Sequence, residues 1–181
     1  MDNFCSNIQI YNFKNKLKRE EIIEKIANFK NVEKGKINEY VDLIFDETSN
    51  FVTMYDKNFK FENSNLNKSY IRKLSKCLTL PVFLISLSNS NLVIEQYNFN
   101  KRIYDYIAIS KDFDYLKKLG YVNENIFNEE KIWDNFVGKN DMSNLYDILN
   151  GANSYFYLDE IVEDIFKLYG MKVQNILYKI T

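Results

Sequence analysis

The chain has 181 residues, long enough for one domain to bury most of its unfolded surface without disulfides or metals. Its 24 Lys and Arg nearly cancel 25 Asp and Glu, and the net charge of −1 gives no global attraction to nucleic acid or anionic lipid. Histidine is absent, which excludes every His-dependent triad, His metal ligands and the usual neutral-pH proton shuttle. A hydrophobic content of 46% excludes intrinsic disorder. Abundant Asn, Lys, Ile, Tyr and Phe with a single Pro is the bias of AT-rich, bacterial coding sequence.

In chain order, Phe4 to Tyr11 reads as a strand with Ile8 and Ile10 on one side. Lys18 to Phe29 reads as an amphipathic helix, with Ile22, Ile23, Ile26 and Ala27 inward and Glu20 and Glu21 in the first turn. Ile37, Val41, Leu43 and Phe45 give a half-buried strand, and Phe51 to Tyr55 its antiparallel partner. Lys57 to Asn67 is polar and reads as a loop. A helix follows from about Asn67 to Thr79, with Tyr70, Ile71, Leu74, Cys77 and Leu78 on one face and Pro81 as its stop. Val82 to Leu87 is apolar on both sides and suits a central strand. Leu92 to Tyr97 and Lys101 to Ile109 are two further strands, joined by a turn at Asn98-Phe99-Asn100.

After Ser110 the pattern changes. Ser110, Asn128, Asp141 and Ser154 are good N-caps, and each opens a short apolar run that ends at Gly120, Gly138, Gly151 or Gly170. Trp133, Phe136, Ile161, Ile165, Phe166 and Leu168 supply the bulk of these helices, and Val173 to Ile180 is strand-like. The expected fold is α+β in one domain over residues 1–181. A mainly antiparallel sheet has the ferredoxin-like βαββαβ order in its first half, with two further strands and a helical C-terminal third.

The glycines exclude several chemistries. Four act as helix stops and Gly35 as a turn, so none is left for a phosphate loop, and G-x-x-x-x-G-K, G-x-G-x-x-G and G-x-S-x-G are all missing. Cys5 and Cys77 form no Cys-x-x-Cys pair, and no imidazole can activate either. Carboxylates remain. Asp112 and Asp114 lie at a helix start, and Asp159, Glu160, Glu163 and Asp164 form an acidic patch; helix-dipole and solvent roles account for them. Lys14, Lys16, Lys18 and Arg19, and then Arg72, Lys73 and Lys76, read as solvated basic faces. With Phe99-Asn100 as a hairpin tip, Tyr97 opposes Arg102 and Glu95 opposes Tyr104. Glu95, Tyr97, Arg102, Tyr104 and Tyr106 then share one face as candidate partner-binding residues, because Tyr and Arg are enriched at protein contacts. Ile94, Ile103, Ile107 and Ile109, with Asp105, take the other face, read as core.

These features point to a non-catalytic protein-interaction module, immunity-like or regulatory, rather than an enzyme. A small-ligand or sensor domain is the alternative, and a carboxylate-dependent hydrolase stands third. No cofactor or metal is expected. The partner is a protein, with a homodimer left open, and neither nucleic acid nor membrane. The N-terminus lacks a signal-peptide pattern and no apolar run is long enough to span a bilayer, so the expected location is cytoplasmic.

Overall fold

The computed structural model describes residues 5–47, 49–88, 91–110 and 113–121. β1 (Cys5–Tyr11) leads through a short 3-10 turn to α1 (Arg19–Lys30). Glu21 opens this helix by accepting the backbone N–H of Lys18 at 2.7 Å, and Asn31 closes it in the left-handed conformation. Its inward stripe is Ile22, Ile26 and Ala27, with Ile23 half-buried beside them.

Ile37, expected in the next strand, lies instead in a 3-10 turn over Lys34–Glu39, and β2 begins at Val41 (Val41–Phe45). The reason is spacing: Ile37 and Val41 are four apart, which suits a helical turn, whereas Val41, Leu43 and Phe45 keep the period of two. β3 (Phe51–Asp56) returns antiparallel, with Val41 opposite Asp56 and Phe45 opposite Val52.

α2 (Ser64–Leu78) starts inside the stretch expected to be a loop. Its polar first turn hides the cap, Asn63, whose Oδ1 accepts the Leu66 N–H at 3.1 Å. Ile71, Leu74 and Leu78 are buried, while Tyr70 and Cys77 are half-buried. The helix is stopped by Thr79, not Pro81: Thr79 adopts φ 58°, a left-handed conformation that a β-branched residue takes only under strain. Thr79→Gly should therefore stabilise the protein by about 0.5–1 kcal/mol, read as a rise in the urea midpoint at unchanged slope.

β4 (Val82–Leu87), β5 (Asn91–Asn98) and β6 (Ile103–Ser110) follow, and then α3 (Phe113–Lys118). The structure is α+β with one six-stranded antiparallel sheet, ordered β2-β3-β1-β4-β5-β6. α1 and α2 pack on one face, over Ile8, Ile10, Val52, Met54, Val82 and Leu84. β4 lies within the sheet, and Val82 through Ser86 are all buried, as its two-sided apolarity requires. The opposite face is also buried and carries a polar row: Gln9 donates to Asn7 Oδ1 at 3.2 Å and accepts from the Thr53 hydroxyl at 3.1 Å.

The helices expected to open at Asn128, Asp141 and Ser154, the final strand from Val173 to Ile180, and hence the helical C-terminal third and the single-domain reading, extend outside the described residues. No helix among the described residues is long and apolar enough to cross a membrane.

Candidate binding groove

The β5–β6 hairpin sets the site. Its connection is a four-residue turn, 99–102, with Asn98 opposite Ile103. Asn98 Oδ1 accepts the N–H groups of Asn100 (3.1 Å) and Lys101 (3.4 Å), and Arg102 takes φ 57° to re-enter the strand. The register is therefore two residues from the expected one: Tyr97 opposes Tyr104, and Glu95 opposes Tyr106. An even shift keeps side chains on their face. Glu95, Tyr97, Tyr104 and Tyr106 still lie together, while Arg102 moves from strand to turn.

That shared face is the one packed by α2. Glu95 is 0% exposed and Tyr97 4%, Tyr104 and Tyr106 are half-buried, and Arg102 is exposed. Ile94, at 2% exposed, shows that the opposite side of β5 is equally enclosed.

On the outer side of α2, Lys68, Arg72 and Lys76 recur every four residues, so they form a row with steps of about 6 Å. Together with Arg102, Tyr97, Phe99 and Tyr104 they line a half-open groove of ≈ 640 Å³ between α2 and the β5–β6 turn. The Lys68 ammonium lies 4.6 Å from the Tyr104 ring centroid, a cation–π contact. Among the described residues, none of the four cations is in an ion pair, and no carboxylate lines the groove. Arg72 and Lys76 were visible in the sequence as a basic cluster with Lys73; the row with Lys68, and Arg102 facing it, were not.

Glu95 lies under Tyr104. The Tyr104 hydroxyl donates to its Oε1 at 2.6 Å, and among the described residues Oε2 has no hydrogen-bond partner. Asn67 and Tyr121 stand beside the carboxyl, Asn67 Nδ2 donating to Tyr121 Oη at 3.0 Å. Burial pushes Glu95 up to about 7, against the opposing pull of the Tyr104 hydrogen bond and of the Tyr121 and Asn67 polar groups beside it. Burial and the neighbouring carboxylate push the Tyr104 and Tyr121 phenols far above their ordinary value, so both stay neutral donors. Tyr121 is placed by the end of α3: the Ser64 N–H donates to Leu119 O at 2.8 Å and the Ser64 hydroxyl to Gly120 O at 3.2 Å. Gly120, at φ 90°, allows that close approach, since a Cβ there would come within 2.5 Å of Ser64 Oγ.

A second polar cluster joins three elements. The Asp56 carboxylate, fully enclosed, pairs with Lys30 of α1 and accepts from the Tyr70 hydroxyl of α2, while its Oδ1 takes the Asn58 N–H at 3.0 Å.

The other candidates are less concentrated. Asp114 is exposed beside Lys117 at 3.8 Å, whereas Asp112, Asp159, Glu160, Glu163 and Asp164 lie outside the described residues. Burial raises the Cys77 thiol, which donates to Lys25 O at 3.1 Å. Lys14, Lys16, Lys18 and Arg19 are exposed, with Arg19 over the Phe45 ring at 4.8 Å. Among the described residues no three side chains converge as metal ligands. No family model, curated protein or solved structure matches the chain.

Proposed function

We propose that the protein is a non-catalytic interaction module, immunity-like or regulatory, and that its protein partner docks in the groove between α2 and the β5–β6 turn. The observation that carries this reading is the convergence of four cations from two elements on an aromatic floor, with no described carboxylate to neutralise them. Such charges are solvated when free and gain most from an oppositely charged partner. Arg and Tyr together also have the chemistry of contact hot spots. The scaffold is read as ferredoxin-like: the order β2-β3-β1-β4, with helices after β1 and β3, is that of a split βαβ unit, with β5 and β6 added beside β4. A small-ligand pocket would be more enclosed and more apolar than this groove.

The test is site-directed photo-crosslinking in cells of the source organism, with the reactive group at Lys73, which is exposed and next to the row. One heterologous protein adduct is expected, and Arg72→Glu with Lys76→Glu should abolish it while leaving thermal unfolding unchanged. An adduct that survives both charge reversals, or self-adducts alone, would remove the reading.

A further inference from the structure

We infer that the groove takes an extended acidic segment with Asp or Glu at alternate residues, its carboxylates facing the Lys68–Arg72–Lys76 row. This rests on the groove being the docking surface and adds the chemistry of the occupant. The steps of the row are about 6 Å and its length about 12 Å. In an extended chain, side chains on one side repeat every two residues, or about 6.6–6.8 Å, which brings successive carboxylates opposite successive cations.

The groove also has a charged wall on each side. α2 supplies three cations and the hairpin turn supplies Arg102. An extended chain points alternate side chains at opposite walls, so it can meet both at once.

Single-stranded nucleic acid would use the same cations, but its bases need open aromatic faces. Here the Lys68 ammonium covers Tyr104 and Tyr97 is 4% exposed, so among the described aromatic residues lining the groove only the half-buried Phe99 offers a partly open ring, too little for successive bases to stack. The Arg72 guanidinium suits bidentate recognition of a carboxylate facing the row, and Arg102 on the other wall supplies donors and positive charge to the intervening polar side chains.

The experiment titrates the full chain with a Glu-Thr repeat peptide of about eight residues, which more than covers the row. A block peptide of the same composition, the Gln-Thr repeat and an oligothymidylate of similar length serve as comparators. Binding is followed by amide chemical shifts at low salt, with thermal unfolding as the check on folding. The alternating peptide is expected to shift Lys68, Arg72, Lys76 and Arg102. Arg72→Glu with Lys76→Glu, and separately Arg102→Glu, should each weaken it at least tenfold. The Gln-Thr peptide should not bind, and added salt should weaken the complex. Equal binding of the block peptide would overturn the spacing, and equal or tighter binding of the oligothymidylate would overturn the acidic-peptide chemistry. If no peptide binds while the crosslinked adduct still depends on Arg72 and Lys76, this inference fails and the docking reading stands.

Discussion

Raising the pH from about 4 to about 8 should cost the folded protein about 3 kcal/mol through Glu95 alone, and Glu95→Gln should remove that loss. The sign follows from which state holds the proton. Burial pushes Glu95 up to about 7 in the folded chain, against an ordinary value of 4.5. Below the unfolded value both states are protonated and the folded state carries no penalty. Between 4.5 and about 7 the folded state keeps a proton that the unfolded state has released, so each rise in pH favours unfolding. Above about 7 both states are ionised and the loss is constant. The physical cause is a carboxylate at 0% exposure that takes a hydrogen bond from Tyr104 and whose Oε2 has no partner among the described residues. Glutamine keeps the acceptor for Tyr104 without the charge. Urea unfolding of both proteins across this pH range is the measurement, taken as a difference because Asp105, also raised by burial, titrates in both. Parallel stability curves would mean that Glu95 is not the buried acid described.

The buried position of Glu95 was the hardest feature to read from the sequence. Along β5, Ile94 alternates with Glu95 and then Tyr97, which looks like an apolar face and a wet face. Alternation reports the pleat, and it identifies solvent only when one face is open. Here Ile94 and Glu95 are both enclosed. The run from Val82 to Leu87 did signal two-sided burial, because it is apolar at both parities. α1 and β3 were legible to within a residue, since their apolar spacing is purely helical or purely alternating. The start of α2 was hidden, because Asn63, Ser64 and Asn65 serve a cap and a loop equally well.

Arg102 marks the limit on the candidate site. A two-residue hairpin tip was the simplest reading of Phe99-Asn100. The actual turn depends on Asn98 capping two N–H groups and on a non-glycine residue accepting φ 57°, which no residue type announces. The groove exists because that turn projects Arg102 toward a helix row some thirty positions earlier in the chain (Lys68 to Lys76). Sequence spacing gives the row; only the packing of α2 on β5 gives the opposing wall.

Asp56→Ala should destabilise the protein by about 3 kcal/mol or more, among the largest effects of any single polar substitution here. Asp56 is fully enclosed and Lys30 is 14% exposed at the side chain, so neither charge is well solvated. Removing the carboxylate strands the Lys30 ammonium, leaves the Tyr70 hydroxyl without its acceptor and uncaps the Asn58 N–H. Three elements lose their common anchor at once: the last turn of α1, the end of β3 and the middle of α2. Asp56→Asn should cost less, because an amide oxygen still accepts from Tyr70. The cost of the single variant comes from an uncompensated charge, not from a large intrinsic gain of the pair. Replacing both partners by apolar residues, Lys30→Met with Asp56→Leu, should therefore recover most of it. Urea midpoints at unchanged slope measure all three variants. If Asp56→Ala lies within about 1 kcal/mol of wild type, the pair behaves as a solvated surface bridge. If the double variant is as unstable as Asp56→Ala, the cluster holds the elements by specific hydrogen bonding rather than by charge balance.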